Sequence, residues 1–133
     1  MAIKALIEKQ SNKSFEETST TLKNVLDKNP NLKILLELDH SKNAASVDLE
    51  LPPTRIILFG NPNLGTVLMK DKQSIGIDLP QKILIVEKGG AVIVSYNNPE
   101  YLKEKHQLST ATTEVLAKVT AALDKITNLA IEA

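Results

Sequence analysis

His40 and His106 are the only imidazoles in this chain, Arg55 is its only arginine, and it has no cysteine. Any acid–base, metal or nucleophilic chemistry must be assembled from these groups together with carboxylates, hydroxyls and amides. His40 follows Leu32, Ile34, Leu36 and Leu38 at a period of two, the spacing that places side chains on one face of a strand. This reading points His40 towards the core with the leucines, while Lys33, Glu37 and Asp39 share the other face. Asp39 and His40 therefore form no simple pair unless the strand breaks between them. A buried histidine is more often a hydrogen-bonded packing residue than a base. The functional reading makes His40 a base or ligand at the mouth of an apolar pocket, with Asn61 and Asp78 as companions because each ends or precedes a neighbouring strand. Tyr96, at a strand end, would set a phenol on the rim.

The remaining candidates are weaker. His106 lies in Lys103-Glu104-Lys105-His106, which reads as a solvated stretch, and nothing in its spacing from His40 argues for a metal set. Gly60-x-x-x-x-Gly65-Thr66 has the outline of a phosphate loop but lacks the lysine that should precede Thr66. Arg55 suits a bidentate carboxylate contact, although an exposed charge at a strand start is commoner. Glu17 is explained by helix capping, and the Thr18 hydroxyl by a bond to the preceding turn. No Ser-His-Asp or paired-carboxylate pattern emerges from the spacing. No catalytic and no metal-binding residue is assigned, and the sequence leaves any cofactor unknown.

The elements that must position these groups are legible in outline. Ile3, Ala5 and Ile7 alternate with polar residues, so residues 2–9 read as a strand. Ser14-Phe15-Glu16-Glu17 is a capping box. Phe15, Thr18, Leu22 and Val25 continue it as a helix that ends before Asn29-Pro30. A strand from Leu32 and another over 54–59 follow. Gly60 should turn the chain with backbone angles other residues avoid. Asn61 should cap a short helix whose first residue is Pro62. Lys88-Gly89-Gly90 is the turn of a hairpin, and Asn98-Pro99 opens another short helix. Leu116, Val119, Leu123, Ile126 and Ala130 stripe a long helix over about 109–131. That stripe should lie on the sheet, the alternative being a seam with another chain. The order predicts an α+β fold, a mainly antiparallel sheet with helices packed on one side: β-α-β-β-(short α)-β-β-α in a single domain over 1–133.

Composition narrows function by exclusion. Sixteen basic and sixteen acidic residues give a formal net charge of +0, without the excess that releases counterions from a duplex. Aromatic residues are 3% with no tryptophan, too few for a single-strand stacking platform. The expectation is therefore no nucleic acid. No stretch is apolar and long enough to cross a bilayer or to act as a signal peptide. A soluble, cytoplasmic protein with no membrane partner is expected. Near-zero charge also favours self-association.

Several pieces together resemble one family. They are Glu17-Thr18, Asp39-His40 with Ala44, Leu51-x-Pro53-Thr54, Phe59-Gly60-Asn61-Pro62, Gly65-Thr66, Met69, Asp78-Leu79-Pro80, Gly90, Tyr96 and Pro99. On these the chain resembles the domain of unknown function family 302, over roughly residues 3–108. Gln81, and Val47-Asp48 ahead of the Leu-x-Pro stretch, depart from its pattern. The resemblance implies a fold similar to one repeat of the TATA-binding-protein architecture, often a homodimer, with the Asp-His, Gly-Asn-Pro and Asp-Leu-Pro segments close in space. It supplies no catalytic residue, and fold does not fix function.

The expectation is a homodimeric, non-enzymatic binding module for a small ligand, an anion among the candidates, bordered by His40, Asn61, Asp78 and Tyr96. The alternatives are a small enzyme using His40 as general base beside Asn61, and a metal-dependent site at His40.

Overall fold

The computed structural model describes residues 2–132. Five strands form one sheet: β1 (Leu6–Gln10), β2 (Lys33–Asp39), β3 (Thr54–Gly60), β4 (Gln81–Lys88) and β5 (Ala91–Asn97), in the spatial order β1-β5-β4-β3-β2. Every neighbouring pair is antiparallel. Five helices accompany them: α1 (Phe15–Asp27), α2 (His40–Ala45), α3 (Pro62–Asp71), α4 (Pro99–His106) and α5 (Thr113–Ile131). The α+β class, the antiparallel sheet and the one-sided helix layer all agree with the sequence reading.

The core forms where the period-two faces of the strands meet the stripes of α1 and α5. Ile57, Phe59, Ile83, Ile85 and Val94 project from the sheet, and Leu22, Leu26, Leu123 and Ala130 descend on them; all are essentially buried. Each large aliphatic side chain here contributes roughly 1.5–3 kcal/mol of transfer free energy. The α5 stripe is consumed by this packing, so the seam with another chain gives way to the helix-on-sheet reading. The Ser14 hydroxyl accepts from the Glu17 N–H at 3.1 Å and starts α1 as expected. Gly89 and Gly90, with φ of 58° and 80°, form the two-residue turn between β4 and β5. Both angles positive is the turn geometry that suits a twisted hairpin and favours glycine.

Three expectations change. The first strand begins at Leu6, not at residue 2. Gly60 has no positive φ; it is the last residue of β3, and the turn is made by Asn61 and Pro62. Most consequentially, β2 carries a bulge between Ile34 and Leu36. Ile34 pairs with Phe59 and faces the helices, but beyond the bulge Glu37 pairs with Ile57, and Leu36 with Leu58. The extra residue reverses which face each later side chain takes. Leu36 and Leu38 thus lie on the sheet face away from the helices, and Glu37 and Asp39 lie on the helix side.

That second face is apolar and has no helix over it. Leu38, Ile56, Leu58, Leu84, Val86 and Ile93 alternate with the core residues along their strands and stay part-exposed. Lys33, Lys82 and Lys88 share this face at its ends, and the Lys82 ammonium donates to the carbonyls of Asp78 (3.2 Å) and Pro80 (3.1 Å).

Candidate ligand site

Asn61 ends β3 and caps α3: its side-chain oxygen accepts from the Asn63 N–H at 3.0 Å, with Pro62 in the first helical position. A cavity of about 390 Å³ lies between α3, α5 and the Gly60 end of the sheet. Its walls are Leu64, Leu68 and Met69 of α3, Val119, Ala122 and Ile126 of α5, and Phe59 beneath. Gly60, Gly65 and Gly76 also line it, where a larger side chain would take up the space. Its polar contributors are Lys33, Asn61, Thr66 and Gln81. A half-open, largely apolar volume with few polar groups is a common form of small-molecule site.

The four residues singled out from the sequence do not converge. Asn61 lines the cavity. Asp78 ends the 3-10 turn Gln73–Asp78 and turns away to α4. Tyr96 faces the helices rather than a rim, 4% exposed within the core. The Lys9 ammonium stands 5.8 Å from the centre of its ring. His40 lies at the other end of the sheet. Lys33 pairs with Gly60 and Asp39 with Arg55, so the C-terminal end of β2 meets the beginning of β3. Antiparallel neighbours carry their C-terminal ends at opposite edges, which separates His40 from Asn61 by the length of the strand.

The strand does break between Asp39 and His40, because His40 is the first residue of α2. Asp39 is nevertheless not its partner. The Asp39 carboxylate accepts from the Ser41 hydroxyl (2.5 Å), the Lys42 N–H (3.0 Å) and Arg55 (3.2 Å). The Ser41 and Lys42 bonds, aided by Arg55 against a smaller opposing effect of burial, lower its pKa to about 2. Arg55 is likewise spent within the protein. Its guanidinium donates to both oxygens of Glu16, at 3.1 and 3.3 Å, and stacks over Phe15 at 4.9 Å. The hydrogen bond to Glu16 is the main influence raising its pKa. This cluster ties β2 and β3 to the start of α1 and occupies the Arg55 guanidinium.

His106 is the residue whose setting the sequence reading missed. It is buried, with Nε2 2.5 Å from Asp78 Oδ2 and Nδ1 2.9 Å from Ser74 Oγ. Ser74, His106 and Asp78 are thus hydrogen-bonded in series, an order that can activate a hydroxyl. Ser74 and Asp78 are the second and last residues of the same short turn, and Ser74 does not border the cavity. In this setting the imidazole fastens the turn to α4. Pro99, Leu102 and His106 are all buried and spaced as one helical face, the signal that could have placed His106 inside. Among the described residues no group of three or more His, Asp and Glu side chains could hold a metal ion. Nor is any helix among them long and apolar enough to cross a membrane.

The antiparallel sheet with a one-sided helix layer defines a class found in uncharacterised domains. The crystal structure of an uncharacterized conserved DUF302 protein from Bacillus stearothermophilus is similar, with a TM-score of 0.84 at 16% identity, covering 96% of this chain and 99% of that one. The family model described as "Domain of unknown function DUF302" matches residues 7–126, and the chain belongs to that family. Among curated proteins, it is 44% identical over 82 residues to "Fluoride-specific ion channel FluC 1" of Brucella suis, a match covering 61% of this chain. "Fluoride-specific ion channel FluC 2" of Brucella melitensis matches equally well, again over 61% of this chain. The matched segment is 32% and 30% of these two relatives, so the chain spans about a third of their length.

Proposed function

We propose that this protein is a cytoplasmic, homodimeric, non-enzymatic module that binds a small ligand in the cavity beside Asn61. The observation that carries this reading is the cavity itself: about 390 Å³, walled by α3, α5 and the sheet end, and almost entirely apolar. Neither histidine borders it, so a general base is not part of the reading, and the His40 enzyme and His40 metal alternatives lose their premise. Native mass spectrometry of the purified chain, followed by identification of what dissociates, tests it. A bound small molecule that is lost in an Ala122→Phe variant is the expected result. A ligand-free protein whose melting temperature no small apolar compound raises would count against it.

The dimer rests on the uncovered sheet face. A five-stranded face at ~4.8 Å per strand and ~3.4 Å per residue presents roughly 500 Å². Two such faces together approach the minimum of a specific interface. A formal net charge of +0 leaves no long-range repulsion between copies. Light scattering should report a dimer that Leu58→Lys dissociates; a clean 14.5 kDa species at micromolar concentration would sink the idea. The likeness to one TATA-binding-protein repeat belongs to this reading as architecture alone, with no nucleic acid attached to it.

A second reading follows from the Brucella proteins, which are fluoride-specific ion channels and share a third of their length with this chain. In it, the module serves fluoride handling. Deleting its gene should then sensitise cells to fluoride; unchanged growth would remove this reading.

A further inference from the structure

We infer that the ligand of this cavity is an amphipathic monoanion: an unbranched or lightly branched hydrocarbon body carrying one carboxylate-like head that rests against Lys33. The inference depends on the cavity being a ligand site, as proposed above, and adds the chemical class.

Three observations converge on it. The walls contributed by α3 and α5 hold no charge, so a ligand polar throughout would bury unpaired groups there at considerable cost. A purely apolar ligand, in turn, would leave the polar groups of the lining unused. Lys33, the first residue of the bulged edge strand, is the one charged residue of that lining; paired with Gly60, it borders the cavity from the sheet face away from the helices. Its ammonium has no ion-pair partner among the described residues, a state it shares with most of the lysines. Thr66 and Gln81 also line the cavity. An anion beside Lys33 would meet a long, flexible cation in a lining that also offers neutral hydrogen-bonding groups, and charge-assisted bonds are the stronger kind. Size sets the length of the body. At roughly 30 Å³ for each water-sized group, the volume holds about a dozen non-hydrogen atoms, the scale of a ten-carbon acid.

Gln81 gains a role on this view. Gln81 departs from the pattern of the family, and its carboxamide belongs to the same lining as Lys33.

Calorimetric titration of the intact chain with decanoate and with decanol, both well below their aggregation range, is the test. The two probes share a body and differ in the head. Decanoate should bind about tenfold or more tightly than decanol. Lys33→Glu should abolish that preference while leaving decanol binding within about twofold, and Lys33→Arg should keep it. Lys33 is exposed, so these variants should fold, and their unfolding curves confirm it. Equal affinity for acid and alcohol, or a Lys33→Glu variant that still prefers the acid, overturns the anionic head and leaves the cavity reading standing. Binding of neither probe, or binding undiminished in Ala122→Phe, overturns the cavity reading and this inference with it.

Discussion

Asp78 Oδ2 and His106 Nε2 lie 2.5 Å apart, joining a short turn that precedes β4 to the last residue of α4. Burial pushes the Asp78 carboxyl up, but the hydrogen bonds from His106 and Lys105 overcome it and hold it below the usual carboxylate range. Asp78→Ala leaves a buried imidazole N–H without an acceptor. It should cost about 1–3 kcal/mol in urea denaturation at neutral pH. Asp78→Asn retains an acceptor and should cost less; equal losses in the two variants would show that the pairing is not what matters.

Asn61 should prove to be a stability residue first. Its side chain caps α3 through the Asn63 N–H, and removing such a cap costs about 1 kcal/mol. Asn61→Ala should lower the denaturation midpoint accordingly, and Asn61→Asp or Asn61→Ser should restore most of the loss. An unchanged midpoint in Asn61→Ala would show that the side chain's contribution lies on the cavity side.

The cluster around Asp39 predicts a pH signature. Its folded pKa of about 2 lies below the ordinary aspartate value of about 3.9. The carboxylate therefore adds stability that is fully present above the ordinary value and lost as pH falls towards the folded one. The difference in denaturation midpoint between wild type and Asp39→Asn should be constant from pH 7 to about 5, then shrink and close near pH 2. A difference that persists unchanged at pH 2 would mean that Asp39 acts through shape rather than charge.

Gln107 closes α4 in the left-handed conformation, with φ 55° and ψ 47°. A side chain there costs roughly 1 kcal/mol relative to glycine. Gln107→Gly should stabilise the protein by somewhat less, because the bond from the Gln107 amide to the Glu104 carbonyl at 3.0 Å is given up. Thermal unfolding decides the sign.

What could be read from the sequence was local. The Ser14 cap, the Asn61-Pro62 helix start, the Gly89-Gly90 turn and the α5 stripe each depend on neighbours a few residues away, and each appears as expected. The failures came from partners distant in the chain. One extra residue in β2 turned Leu36 and Leu38 to the opposite face, and the helix capped by Asp39 begins at His40. No period-two pattern can announce that, because the leucines at 36 and 38 suit an apolar face on either side. The proposed meeting of His40 with Asn61 failed for a topological reason: β2 and β3 are neighbours running in opposite directions. His106 was obscured by Lys103, Glu104 and Lys105, which surround it in sequence but leave it on the buried side of α4.

The strand order β1-β5-β4-β3-β2 also constrains how the sheet is assembled. β3, β4 and β5 are consecutive in the chain and adjacent in space, so their pairings close short loops. β1 and β2 flank this meander at opposite margins although a single helix joins them. The N-terminal β1-α1-β2 unit therefore acts as a clasp, fitted across a centre that can form first. Backbone amides of β4 should resist hydrogen exchange longest, and those of β1 and β2 should be released together when the clasp opens.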